Sequence, residues 1–345
     1  MEPVTHFLTG AALGRSGFNR TTALATVVMT LAAEAADIDI LWYFKGSVEG
    51  FAHHRGITHT FIGVPFVAAL VIAVVWVLRK LWHKVRPPMK RPDMPVRWGL
   101  LYLFACIAGL SHILLDFTNN YGIRPFFPFN AKWYAWDIVF IIEPVMLVLL
   151  IAGLVLPYLF GLINAEIGAK QRGPRGRGGA IAALIGIVIL WGVRDFEHRR
   201  AVKTLDSFTY QGQTATRISA FPQPTNPFRW YGVVETPAFY QSMMVDSLTP
   251  EVDPQDRART YYKAEPTPVT EAAKATYLGR VYLDWARFPT LEVQKRELPG
   301  GYDVTFRDVR FLYPNRGRDP LAAYLQLDEQ LRPVRESFRQ PKQPD

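Results

Sequence analysis

WGLLYLFACIAGLSHILLDF, residues 98–117, decides how this chain is built. From Trp98 to Leu115 it carries no formal charge, and as a helix rising roughly 1.5 Å per residue it is long enough to cross about 30 Å of hydrocarbon with modest tilt. Its far end is polar. His112 and Asp116 stand four residues apart, on one helix face, where both can bind one cation or two adjacent ones. Ionisable groups are costly in or near a bilayer, so a pair at this boundary marks a functional site.

Working outward, Phe61 to Leu78 and Ile138 to Phe160 are apolar runs of spanning length, and Thr21 to Phe44 is a fourth. The outer part of that fourth run holds Glu34, Asp37 and Asp39, which must face the bundle interior or water. Asp37 and Asp39 lie about 200° apart on a regular helix, so using both requires the helix to end or distort there. Ala180 to Val193 is short, roughly 21 Å as a helix, and crosses fully only with help from Gly178 and Gly179 or by local thinning. Pro3 to Gly14 reads as a short re-entrant or interfacial helix, closed by a turn through Ser16, Gly17 and Asn19.

The chain has 39 Lys and Arg against 30 Asp and Glu, a net charge of +9. Before Asp195 the basic residues concentrate in short loops beside apolar runs: Arg79, Lys80, Lys84, Arg86, Lys90, Arg91 and Arg97, then Lys170, Arg172, Arg175 and Arg177. That is the pattern of membrane orientation, which argues against nucleic acid and puts both loops in the cytoplasm. The loops Lys45 to Thr60 and Asp116 to Asp137 then fall on the extracytoplasmic face, with the acids and imidazoles. Cys106 is the single cysteine, so any metal takes nitrogen and oxygen ligands. Met1 to Gly14 carries Glu2 and no Lys or Arg, unlike a cleaved signal peptide, so the start is expected to be retained.

From about Asp195 the sequence turns alternating, aromatic and punctuated by proline. Trp230 to Thr236, Phe239 to Val245, Tyr302 to Tyr313 and Ala322 to Leu327 read as strands, with a helix near Glu271 to Arg287. The expected fold is mainly α: a polytopic transmembrane helical bundle over residues 1–194, a smaller extracytoplasmic α+β domain over 195–338, and a disordered tail over 339–345.

His54-Arg55-Gly56-Ile57-Thr58-His59 places two imidazoles, a guanidinium and a hydroxyl in six residues beside a helix start. Neutral imidazole suits zinc and other transition metals, and Arg55 can hold a phosphate or carboxylate through two bonds. The bland alternative is a solvated basic loop, and for His112 and Asp116 a structural hydrogen bond. Asp137 and Glu143 read as second-sphere carboxylates, direct ligands or a general base, against boundary hydration as their plain reading. Glu143-Pro144 also reads as a helix distortion. His53 is a second-tier candidate beside His54, while His83 and His198 read as surface histidines.

Thr5-His6, Ala36-Asp37-Ile38-Asp39, His54-Arg55-Gly56-Ile57-Thr58-His59 and Ser111-His112-x-x-x-Asp116 together resemble the bacterial LexA-regulated, membrane-bound metal-dependent hydrolase family. The resemblance covers about Met1 to Phe160; the family usually has Pro-Asp-x-Asp where this chain has Ala36-Asp37-Ile38-Asp39. Asn226 to Trp230 looks like a C-terminal extension of some members. The family is in turn similar to zinc-dependent phospholipase C and the single-strand-specific zinc nucleases, which implies phosphoester hydrolysis.

The expected function is a multi-pass hydrolase of the bacterial inner membrane, acting on a phosphoester such as a phospholipid. One to three zinc ions, or another divalent metal, are expected on His6, Asp37, Asp39, His54, His59, His112 and Asp116. Arg55 would position the anion, and Asp137 or Glu143 would take a proton. Two other classes compete: an ion- or proton-coupled transporter, which needs water access from both sides, and a metal-stabilised scaffold, which needs no open coordination position.

Overall fold

A computed structural model describes residues 1–85, 94–166, 176–249, 251–253, 258–297, 300–313, 319 and 321–339. The loop residues Arg86, Lys90, Arg91, Lys170, Arg172 and Arg175, and the expected tail beyond Arg339, lie outside them. The chain divides into two compact units. The first comprises Met1–Asp39 and Arg55–Arg194, the second Ile40–His54 and Asp195–Asp345.

In the first unit, α1 (Pro3–Arg15) starts where the sequence places a proline, at a position whose N–H has no helical partner in any case. The Glu2 carboxylate caps it by accepting from the Thr5 N–H at 2.8 Å. α2 (Ala25–Glu34) lies against α1, and the contact is made by small residues. A Cβ added at Gly10 would come within 2.6 Å of the Met29 carbonyl and 2.7 Å of Ala33 Cβ. Gly14, one turn on, is as close to Thr26. This small-xxx-small stripe lets the two backbones approach closely enough to pack main chain on main chain. Gly10→Leu is therefore expected to wedge the helices apart at a cost of about 1–3 kcal/mol. It should also shift His6, which α1 carries; the check is faster protease cleavage in detergent together with weaker metal retention.

Two apolar helices, α4 (Gly63–Val85) and α5 (Trp98–Thr118), pack side by side and are long and apolar enough to cross a membrane. Val64 near the start of α4 meets Ile113 near the end of α5, so the two run antiparallel and bring His59 and His112 to one end.

Three sequence expectations are corrected here. Thr21 to Phe44 is not one helix: α2 ends at Glu34 after ten residues, about 15 Å, and a 3-10 stretch (Ala35–Lys45) follows. Tighter winding brings residues two apart from about 160° of angular separation to about 120°, so Asp37 and Asp39 can both turn toward the same neighbours. Ile138 to Phe160 is not helical from its start, because α6 (Pro144–Glu166) begins at a proline that cannot donate to an earlier turn and pushes Glu143 out of helical geometry. Ala180 to Val193 is the apolar part of a 30-residue helix, α7 (Arg177–Asp206), which is long enough to cross. Charged residues do not stop α7, since Asp195 pairs with Arg199 and Glu197 with Arg200 along its surface. A Cβ at Gly153 of α6 would meet the Gly179 carbonyl of α7 at 2.5 Å, a second close helix crossing.

The second unit holds two antiparallel sheets. One joins β1 (Arg217–Pro222), β2 (Arg229–Glu235), β3 (Phe239–Asp246) and β4 (Glu251–Val252) in that order, with β5 (Arg259–Tyr262) also on β3. Strand alternation gives β2 two buried faces. Trp230 and Val234 pack with Ala201 and Leu205 of α7, while Tyr231 and Val233 pack with Phe221, Tyr240, Phe288 and Val309.

The expected helix near Glu271 to Arg287 is two helices, α8 (Pro268–Ala275) and α9 (Tyr277–Trp285). Thr276 breaks them, with an extended backbone and a hydroxyl that accepts from the Gly279 N–H at 3.0 Å to cap α9. The second sheet follows as β6 (Pro289–Arg296), β7 (Gly301–Asp308), β8 (Ala323–Leu327) and β9 (Pro333–Ser337) in sequence order. Tyr302 to Tyr313 is thus a strand only to Asp308, where a 3-10 turn (Val309–Phe311) takes over.

That turn is built on a buried charge pair. Asp308 accepts from the Arg310 N–H, Nε and Nη2 at 2.9, 3.0 and 2.9 Å, and from the Arg287 N–H at 2.6 Å. The Arg310 guanidinium lies over the Trp285 and Phe311 rings, 4.5 and 5.1 Å from their centres. The loop 40–54 also belongs to this unit, through α3 (Ser47–His53). Phe51 stacks on Phe338 at 4.1 Å and meets Trp285 edge-on at 5.1 Å, and the Ser47 hydroxyl accepts from the Phe338 N–H at 3.1 Å.

Candidate metal centre

At the end of the first unit where α4 begins and α5 finishes, four side-chain atoms converge. His59 Nε2 lies 3.0 Å from His112 Nε2, 3.2 Å from Asp37 Oδ1 and 3.6 Å from Asp116 Oδ2. His112 Nε2 lies 3.7 Å from Asp37 Oδ1 and 3.5 Å from Asp116 Oδ2. Ligands held about 2.1 Å from a tetrahedral ion stand about 3.4 Å apart. Five of the six edges that such a site needs, 3.0 to 3.7 Å, bracket that value, while Asp37 and Asp116, the remaining pair, fall in different groups of mutually close donors.

The outer partner of His112 fixes which of its nitrogens carries the hydrogen. His112 Nδ1 is 2.6 Å from the Ala33 carbonyl, which can only accept, so Nδ1 carries the hydrogen and Nε2 presents its lone pair. His59 has a carboxylate on each side, Asp39 Oδ2 3.2 Å from Nδ1 and Asp37 Oδ1 3.2 Å from Nε2, so either nitrogen can carry its hydrogen. The His112 lone pair and the carboxylate oxygens of Asp37 and Asp116 at this spacing repel unless a proton or a cation sits among them. His59, His112 and Asp116 are essentially fully buried, while Asp37 keeps 26% of its side chain exposed and is the accessible edge of the four.

Arg55 is sealed in the interior behind this cluster. Its Nη2 donates to Asp116 Oδ1 at 2.7 Å, its Nη1 to Asn119 Oδ1 and the Gly122 carbonyl at 3.2 and 2.8 Å, and its own N–H to Asp39 Oδ2 at 2.7 Å. The Tyr121 ring covers it, 4.7 Å away. Asp116 is thereby divided: Oδ1 is held by Arg55 and the amine of Met1, and Oδ2 faces the histidines. Arg55 has a left-handed backbone, φ +52°, uncommon away from glycine, which lets one residue present its N–H and its guanidinium to two different acids.

His6 adds a fifth group. Its ring stacks on His112 at 3.7 Å, it is fully buried, and neither ring nitrogen has a hydrogen-bond partner among the described residues. Donor atoms of His6, Asp37 and His112 lie within 4.8 Å of one another, as do those of His59, His112 and Asp116. These are two overlapping positions for a cation, since His112 has a single free nitrogen, Nε2, to offer either of them.

The structure thus brings His6, Asp37, His59, His112 and Asp116 together, with Asp39 behind His59. His54 is in neither group; it belongs to the second unit and closes α3 by donating its N–H to the Gly50 carbonyl at 3.0 Å. His53 meets Glu49 at 3.3 Å and stacks on Trp42. Asp137, buried at φ +61°, and Glu143, paired with Arg194 at 2.7 Å, are outside both groups. Sequence reasoning missed the carbonyls of Ala33 and Gly122, which no side chain advertises, and Asn119, whose position one turn after Asp116 was a readable signal.

Asp39 orients a ligand and need not touch a metal, and losing such a partner typically costs 10–100-fold in metal affinity. Asp39→Asn is accordingly expected to weaken retention by about that factor while the helix content holds, as competition with a chromogenic chelator can measure.

Comparison with known proteins adds three findings. A family model described as YdjM inner membrane protein matches residues 1–201, and one described as the YfhP C-terminal alpha/beta plait domain matches residues 268–340. The uncharacterized protein YfhP of Bacillus subtilis (strain 168) is 24% identical over 348 residues, covering 98% of this chain and 94% of its own. No solved structure matches.

Proposed function

The chain belongs to the YdjM inner membrane protein family, and from that premise we propose that it is a membrane-embedded, zinc-dependent phosphoester hydrolase. The reading puts the ligand cluster and the second unit on the extracytoplasmic side of the inner membrane, opposite the basic loops. The likeness to LexA-regulated hydrolases, and beyond them to zinc-dependent phospholipase C, supplies the reaction class. One observation carries the metal: His59, His112 and Asp116 bring buried donor atoms within 3.0 to 3.6 Å of one another, Asp37 lies within 3.7 Å of both imidazoles, and the Ala33 carbonyl turns the His112 Nε2 lone pair inward.

His59, His112 and Asp116 would hold an ion in one position, and His6, Asp37 and His112 in the overlapping alternative, with His112 Nε2 serving either. A bound zinc ion supplies a charge that lowers the pKa of water toward neutrality and polarises a phosphoryl oxygen. In the overall reaction a water adds to phosphorus, the P–O ester bond breaks, and the departing alcohol oxygen takes a proton. The chain's own residues set the stage: Arg55 fixes the orientation of Asp116, Ala33 and Asp39 fix the imidazoles, and the partly exposed Asp37 is where substrate and water arrive. Glu143 is committed to Arg194 and Asp137 lies outside both ligand groups, so neither carboxylate is assigned the proton.

Elemental analysis of the purified protein, combined with a panel of phosphomonoesters, phosphodiesters and phospholipids, tests this reading. One zinc ion per chain and turnover of at least one ester class are expected. Stoichiometric metal with no turnover on any ester would leave a metal-stabilised scaffold, and absence of metal would remove both.

A further inference from the structure

Beside the ligand cluster the first unit contains a recess of about 370 Å³ whose walls are almost wholly carbon. Phe117, Ile113 and Tyr134 line its interior, and the exposed side chains of Phe61, Leu110, Leu114 and Phe126 form its rim. It is a built feature. Phe126 packs edge-on against both Phe61 and Tyr134, at 5.4 and 5.6 Å. The backbone pins the walls: the Phe61 N–H donates to the Pro125 carbonyl at 2.9 Å, and Ile123 and Tyr134 exchange two hydrogen bonds of 2.8 Å.

We infer that this recess receives one aliphatic chain of a membrane lipid whose phosphate group is presented to the ligand cluster. The inference rests on the hydrolase reading for the fate of that lipid, but not for its binding. Three observations select hydrocarbon as the occupant. The lining offers no charged group, and the Tyr134 hydroxyl is engaged with Asn130 Nδ2 at 3.3 Å. The rim residues Leu110 and Leu114 belong to the exposed side of α5, a helix long and apolar enough to cross a membrane, so the mouth opens toward lipid.

The third observation is shared construction. Ile113 and Phe117 each directly follow a cluster residue, His112 and Asp116, about 100° further round the same helix turns. Phe61 comes two residues after His59, and Ile123 adjoins Gly122, whose carbonyl accepts from Arg55. The turns that hold the ligands on one side hold the recess on the next. A lipid seated there keeps its tail in apolar surroundings while its headgroup stays at the polar end of α5, which selects long-chain phosphoesters over water-soluble ones.

The test uses the full chain in vesicles doped with a phospholipid bearing a diazirine on one acyl chain, comparing wild type with Leu114→Trp, a rim substitution about 160° round α5 from both His112 and Asp116. Cross-links concentrated on residues 110–126 and lost in the variant are expected. Cross-links spread evenly along α4 and α5, or unchanged in the variant, overturn the inference. In the second arm, kcat/KM for a long-chain ester should fall by about tenfold in Leu114→Trp, roughly what excluding two methylene groups from an apolar site is worth, with a short-chain soluble ester unaffected. Equal losses on both esters also overturn it. Hydrolysis of neither ester sinks the catalytic reading alone, and the cross-linking arm still decides occupancy.

Discussion

Purified His112→Ala is expected to lose essentially all tightly bound zinc, whereas Asp39→Asn loses only affinity. His112 is shared by both possible cation positions, so one substitution removes a nitrogen from each. It also leaves His59 Nε2, Asp37 Oδ1 and Asp116 Oδ2 without the neutral ring that spaces them. Orienting partners alone are worth 10–100-fold in metal affinity, so deletion of a ligand should cost at least about 100-fold. Elemental analysis after gel filtration, with a chelator competition for the residual affinity, reads it directly. Retention of wild-type stoichiometry by His112→Ala would contradict the ligand assignment. His83→Ala, which removes a histidine held only by Arg79 on α4, serves as the control.

The second large effect lies in the other unit. Removing one partner of a buried, hydrogen-bonded ion pair typically costs about 3–5 kcal/mol, because the remaining charge is left without compensation. Asp308→Ala strands the Arg310 guanidinium, fully buried between Trp285 and Phe311, and also frees the N–H groups of Arg287 and Arg310. Hydrogen exchange of the intact protein should show β6 to β8 peptides losing protection by a factor of about 100 or more, with α4 and α5 unchanged.

The pair also gives this unit an acid limit. Burial alone would raise the Asp308 carboxyl, but the charge and hydrogen bonds of Arg310, with the Arg287 N–H, outweigh it and hold the group below its ordinary value of 3.8. A folded-state value below the unfolded one means stability that is complete above the ordinary aspartate range. It begins to drain as pH approaches 3.8 and is gone once pH has dropped through the lower folded value. Protection of the same peptides should fall in that window in the wild type and be flat there in Asp308→Asn.

What the sequence disclosed follows from which forces are local. The apolar runs of α4 and α5 were legible because a membrane span is a matter of length and hydropathy. The pair His112 and Asp116 was legible because residues four apart share a helix face. The true length of α7 was not, since a helix that leaves a bilayer keeps its hydrogen bonds while its composition changes, and the break at Val193 is chemical rather than conformational. Asp37 and Asp39 were recognised as incompatible with a regular helix, but the 3-10 winding that reconciles them depends on His59 and Arg55, over fifteen residues away. Asp308 and Arg310 drew no notice because two opposite charges in a strand-rich segment look like surface residues until the aromatic rings of Trp285 and Phe311 are seen to enclose them.

The assignment of residues 40–54 to the second unit gives the chain an interleaved connectivity. Asp37 and Asp39 stand just before that loop, and Arg55 and His59 just after it, so the chain leaves the first unit and returns to it between two ligand-bearing segments, and Phe51 within the loop packs on Phe338 and Trp285. Cutting the protein after Arg194 would not cleanly detach a module. It would take from residues 40–54 the partners they pack on, Phe338 and Trp285, between two segments that carry candidate ligands.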